Sequence, residues 1–269
     1  MALLFLLLMT GCGTGVDQGP THSVIDGTTI STRFTPPAGF QRSVPQPGTF
    51  GEWLGNLDLL PPGTPVALYN GQPKNRQDVH AAVLDVPVGN KDLQQCADAV
   101  MRLRAEYLFA QGRSGSIHFN FTNGFKAEFG RWVNGERIQV QGNSCHWKRV
   151  GTTGRDHADL DSFLEKVFTY AGTLSLSKEL TSAGTSLVQP GDVFIHGGSP
   201  GHAVIVMDVA YHKDGRQAFL IAQSYMPAQQ IHVLKNTHQP ELGAWFILGD
   251  GDKLHTPEWT FDRNERKRW

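Results

Sequence analysis

The chain has 269 residues, 39% of them hydrophobic and 18% charged, enough to bury a sizeable core and too polar throughout for a polytopic membrane protein. Lys and Arg number 24 against 25 Asp and Glu, a balance that excludes nucleic acid as the main partner, because neutralising phosphates needs a basic surface. With 30 glycines and 15 prolines a purely helical bundle is excluded, and three cysteines are too few for a disulfide scaffold.

Residues 2–9, ALLFLLLM, are an apolar run too short to cross a bilayer and suited to a signal-peptide core. Thr10-Gly11-Cys12 follows it. Small residues before a cysteine resemble the lipobox of bacterial lipoproteins, which implies a signal peptide over residues 1–11, a lipidated Cys12 and an anchor in the membrane of the cell envelope. An ordinary signal peptide cleaved nearby is the alternative. Residues 12–35 are polar and read as a flexible tether. Residues 36–91 begin with seven prolines between 36 and 65 and are expected to wrap the domain, with Phe40, Phe50, Trp53 and Leu54 as anchors, then to supply first strands near residues 66–69 and 81–88.

The main domain is expected over residues 92–262, with a solvated basic tail over 263–269. A helix is predicted over residues 92–111, because Leu93, Cys96, Ala97, Val100, Leu103 and Tyr107 recur at the 3.6 period, with Asp92 at its cap and Asp98, Arg102 and Glu106 on a wet side. Residues 117–121, 125–132 and 137–140 read as an antiparallel meander, and residues 161–171 as a second helix. Strands follow at 193–195, 201–209, 219–225, 231–234 and 245–248, with Asp214-Gly215 as a turn. Helices followed by antiparallel strands make an α+β fold.

A thiol nucleophile needs a base and a group that orients the base. Cys96 falls near the start of the predicted helix, whose partial positive charge favours a thiolate. His202 opens a strand after a glycine, and the returning strand carries Gln223 and Ser224 in an otherwise apolar run. A cysteine at a helix start, then PGDVFI, then GHAVIV, then a strand with a polar residue, resembles the papain-like superfamily, in particular its NlpC-type and CHAP-type cell-wall amidases and endopeptidases. The resemblance implies a helix packed on an antiparallel sheet, Cys96 as nucleophile, His202 as base and Gln223 as orienter, with no cofactor. It also offers Gln94 and Gln95 for the oxyanion, and peptidoglycan or its peptides as substrate. A two-residue turn at Asp214-Gly215 would set Pro227 opposite His202, so a longer loop or a bulge must bring Gln223 into place; Ser224, Gln229 and Asp208 stand behind it as orienters. The strings LQQCADAVMRLRAEYL, GTLSLSKEL, PGDVFIHGGSPGHAVIVMDVA, AQSYMPAQQIHVL and TPEW resemble an uncharacterised bacterial family, domain of unknown function 4846, which implies no activity.

Each residue also has a plainer reading. Cys96 fits a helix stripe as a small buried hydrophobe, which would make the domain a binding or scaffold lipoprotein without catalysis. A disulfide between Cys96 and Cys145 in an oxidising compartment would remove the thiol. Cys145 and His146 are neighbours on a predicted strand and face opposite ways, so they form no catalytic pair. His196, His202, His212 and His232 lack the spacing of a metal site, and none is assigned.

Overall fold

The computed structural model describes residues 27–151, 154–248, 251 and 253–269; Cys12 and the signal segment lie outside them. The architecture is α+β, and the strand pairs of its main sheet are antiparallel. Among the described residues that sheet has nine strands. From one edge the order is His80–Val83, His232–Leu234, Gln217–Gln223, His202–His212, Val193–His196, Arg266–Arg268 and Thr181–Ser182. Phe40–Arg42 pairs with the end of the long strand, and Trp245–Ile247 with the start of Gln217–Gln223.

The two faces of this sheet carry separate clusters. Ala203, Ile205, Met207, Leu220, Ala222 and Val233 point into the larger core, where the helix Cys96–Ala110 lies across the long strand. Val204, Val206, Phe219, Ile221, Leu234 and Phe261 form the smaller one on the opposite face. Strands buried on both faces read as continuous apolar runs, as VIVMDVA and FLIA do.

The helix begins at Cys96 rather than at residue 92. Residues 92–95 form a separate turn, and Gln95 is the cap residue, its backbone N–H donating to the Asp98 carboxylate at 3.0 Å. Asp92 instead accepts from the Ala228 N–H at 2.7 Å. The expected wet side is covered as well: Asp98 and Arg102 are buried, because the helix His157–Tyr170 closes over the outer flank. Arg102 there bridges Glu106 at 2.6 Å and Asp161 at 3.0 Å. The expected meander is two unlinked hairpins, His118–Asn120 with Lys126–Glu128 and Glu136–Gln141 with Ser144–Arg149, parted by the short helix Phe129–Val133. The second long helix starts at His157, capped by Asp156.

The terminal segments depart further from the sequence reading. Residues 30–33 form a helical turn with Ile30 buried, so the tether ends before them, and the proline-rich segment supplies two strands of the sheet. The basic tail is no solvated end. Arg266–Arg268 pairs with Val193–His196, and Arg266 and Arg268 both hold the buried Asp192. A charge pattern gives no sign of a buried partner 74 residues away.

Candidate functional site

Residues 92–95 and 224–229 are tied together beside the start of the Cys96 helix. The Asp92 carboxylate binds the Ala228 N–H, and the Ser224 hydroxyl lies 2.8 Å from the carbonyl oxygens of both Gln94 and Gln229. Ser224 is therefore a strap between the cysteine turn and the segment after Gln223, and not an orienter. Cys96 lines a groove of about 410 Å³ with Ala97, Asp98, Thr173, Gly201 and Met226. Gly201 admits no side chain: a Cβ there would sit 2.4 Å from the Thr173 hydroxyl oxygen and 2.5 Å from the Gly198 carbonyl oxygen.

His202 opens the long strand and is 1% exposed. Its Nε2 lies 2.8 Å from Gln223 Oε1. Gln223 reaches it because the ladder between the two strands slips by one residue: Leu220 pairs with Asp208, whereas Ile221 pairs with Val206. Tyr225, Trp259 and Phe261 surround the imidazole, with ring centroids at 4.9, 5.6 and 5.8 Å. Burial pushes its pKa down to about 4, with the Gln223 bond acting the other way.

Behind Gln223 is a polar cluster that the sequence reading did not identify. Gln223 Nε2 donates to Glu258 Oε2 at 2.6 Å and lies 3.4 Å from His232 Nε2. Lys74 Nζ donates to the same Glu258 oxygen at 2.6 Å. Thr256 makes the turn that presents Glu258 and Trp259, accepting from the Trp259 N–H at 3.0 Å and donating to its carbonyl oxygen at 2.8 Å. The strings TPEW and QQIHVL were the available signals; their distance from Gln223 across the sheet was not visible in one dimension.

Cys96 meets the strand at Ala203, the residue after His202. Burial raises the thiol to about 11, while the Ala203 backbone N–H at the sulfur favours the thiolate. Ala203 points toward the helix, and His202 points to the face of Trp259 and Phe261. Thiol and imidazole make no hydrogen bond among the described residues. His202 Nδ1 has no hydrogen-bond partner there either. Among the described residues, Cys96 and Cys145 form no disulfide.

The remaining candidates separate. Gln95 lines the groove, its amide donating to Asp92 at 3.2 Å. Gln94 is 2% exposed, both of its amide atoms are unpartnered among the described residues, and it faces the neighbouring cavity with Arg102 and Glu165. Asp208 is bound by Arg42 Nε at 2.6 Å and paired with Leu220, six residues along the strand from His202, so it is no orienter. Gln229 is buried, and its side-chain oxygen has no partner among the described residues. Among the described residues, the atoms of Glu106, His157 and Asp161 lie within 4.8 Å of one another. Arg102 already binds both carboxylates and His157 bridges them, which makes this an ion-pair network joining two helices.

No helix among the described residues is long and apolar enough to cross a membrane. No curated protein and no solved structure matches the chain. A family model does match, over residues 30–268, a span that takes in the whole sheet with its first and last strands, the Cys96 helix and the His202–Gln223–Glu258 cluster. The chain therefore belongs to the family described as domain of unknown function 4846.

Proposed function

We propose that the protein is a thiol hydrolase of papain-like type, tethered to the cell envelope through Cys12 and acting on amide bonds, with peptidoglycan peptides as the substrate class. The observation that carries this reading is the His202–Gln223 pair. A buried imidazole is held by Nε2 at 2.8 Å, its Nδ1 is left unclaimed, and the next residue lies at the sulfur of a cysteine that opens a helix. The tether and the substrate class rest on the Thr10-Gly11-Cys12 pattern and on the resemblance to cell-wall amidases.

With the thiol raised and the imidazole lowered, the resting pair is neutral, so His202 acts as a general base. Nδ1 takes the thiol proton as sulfur attacks the amide carbonyl. The oxyanion is received by backbone N–H groups at the first turn of the helix and by the Gln95 amide. Nδ1 then returns the proton to the leaving amine, and water releases the acyl group by the same route in reverse. Cys96 meets the strand on the helix side and His202 points away from it, so this transfer requires the imidazole to swing past Ala203 toward the sulfur. Asp92 lines the groove without a basic side chain beside it, which suits a neutral or cationic acyl segment.

A non-catalytic binding module is favoured by one observation: the buried thiol makes no bond with His202. The two readings are separated by purified peptidoglycan incubated with wild type, Cys96→Ala and His202→Ala, scored for newly released amino groups. Release by wild type and by neither variant supports the hydrolase. Equal traces from all three leave the binding module.

A further inference from the structure

The side-chain amide of a glutamine has two ends of the same shape and opposite hydrogen-bonding sense: the oxygen only accepts and the nitrogen only donates. An amide that orients a base must present its oxygen, and something must hold it that way round. Three partners surround the Gln223 amide, itself 1% exposed: His202 Nε2 at Oε1, and Glu258 Oε2 and His232 Nε2 at Nε2.

Glu258 is a carboxylate and accepts only. His232 is also an acceptor at this point, because its Nδ1 lies 2.9 Å from the Gln230 carbonyl oxygen and so carries the ring proton. Burial keeps that ring neutral, with a pKa down to about 3. Two acceptors thus converge on one end of the amide and require the NH2 group there. The oxygen is left for His202, which must hold its proton on Nε2 and expose a bare Nδ1. The reversed amide would set its oxygen 2.6 Å from a carboxylate oxygen, acceptor against acceptor.

We propose that Glu258, neutralised by Lys74 and assisted by His232, is a positioning residue that locks the Gln223 amide and thereby selects the His202 tautomer with a free Nδ1. Its purpose rests on the reading of Cys96 and His202 as the reacting pair; the lock itself does not. Lys74 offsets the charge of Glu258, and its ammonium also lies 5.7 Å from the centre of the Tyr225 ring that covers His202. The arrangement places a charged pair beneath the imidazole without adding net charge to the site.

The test uses the full chain labelled with 15N-histidine and 15N-glutamine, comparing wild type, K74M/E258Q and K74M/E258L. Both double variants remove the charges together; only the first keeps an acceptor for Gln223. Nuclear magnetic resonance reads the His202 tautomer and the exchange of the Gln223 NH2 protons with water. In wild type, His202 is expected as the Nε2–H tautomer, and the Gln223 NH2 protons exchange at least ~10-fold more slowly than those of an exposed glutamine. K74M/E258Q keeps both signatures, and K74M/E258L loses them while its other amide signals stay in place. A wild-type signature in folded K74M/E258L overturns the proposal. Should that variant not fold, an Nδ1–H tautomer or unprotected Gln223 NH2 protons in wild type overturn it alone. Labelling with iodoacetamide, read at Cys96 and Cys145, runs in parallel. Cys96 no more reactive than Cys145 counts against the hydrolase reading and leaves the tautomer result to decide the role of Glu258.

Discussion

Gln223 shares a face of the sheet with His202 because of a single extra residue in the neighbouring strand. Leu220 opposes Asp208 and Ile221 opposes Val206, so Met207 is the residue left over. Continued without the slip, the pairing would set Gln223 opposite Ile205, which points into the core beneath the helix. With it, Gln223 falls opposite Val204, two residues from His202 and on the same side. A slip of one residue exchanges the faces of every side chain beyond it, and here it turns an amide toward an imidazole.

The acid limb of catalysis should lie lower than for a free histidine. His202 works in its neutral form, and burial brings its pKa to about 4, so the rate should hold from neutral pH down to about 5 and fall only as pH drops through about 4. A pH–rate profile checks this. A limb centred near 6.5 would contradict the buried, neutral imidazole.

Stability should fall in acid for the same reason. His202 and His232 have folded pKa values depressed to about 4 and about 3 from 6.5. Their neutral forms are favoured in the fold, so their contribution is fully present above pH 6.5 and is lost as pH falls toward those values. The raised Cys96 thiol acts at the other end. Its contribution is present below pH 9 and is lost as pH rises toward 11. Thermal melts from pH 3 to 11 should show both losses, and Cys96→Ala should lessen the alkaline one, to which the raised Tyr225 phenol also contributes.

Gly201→Ala should destabilise the protein by about 2 kcal/mol, because the new methyl group meets backbone and the Thr173 hydroxyl and cannot be accommodated by rotating a long side chain. Urea denaturation measures it. A change within 0.5 kcal/mol, about the size of an ordinary surface substitution, would mean that the loop before His202 yields easily.

Arg266→Met should cost about 3 kcal/mol. Arg266 and Asp192 are 3% and 1% exposed, and removing one member of a buried pair leaves the other charge poorly compensated. Arg268, 30% exposed, also binds Asp192 and holds the loss to the lower end of the range for such pairs. A denaturation midpoint equal to that of wild type would return residues 263–269 to the role of a dispensable tail.

Cys12→Ala should release the protein from the membrane fraction into the aqueous phase of a detergent partition. Wild-type protein already in the aqueous phase would remove the tether from the proposal.

Local pattern determined the helix that starts the site, the strands carrying His202 and Gln223, and the α+β class, because apolar periodicity and turn residues act over a few positions. The helix start moved by four residues: Asp92 has the chemistry of a cap but spends its carboxylate on Ala228, a partner 136 positions away. Gln223 is singled out in the sequence by the papain-like resemblance and by its polarity in an apolar strand, yet the bulge that turns it to the His202 face leaves no mark in a run such as FLIAQ. Glu258 and Lys74 were invisible for a stronger reason. An exposed Lys–Glu pair and a buried one have the same letters, and only closure of the sheet, which brings residues 74, 223 and 258 within hydrogen-bond range, removes the water that would otherwise make such a pair negligible. The tail was misjudged likewise, since a basic segment pairs with the buried Asp192 only once its strand has joined the sheet. Whether Cys96 and His202 meet also belongs to the tertiary level, because helix and strand approach through packing that neither segment specifies by itself.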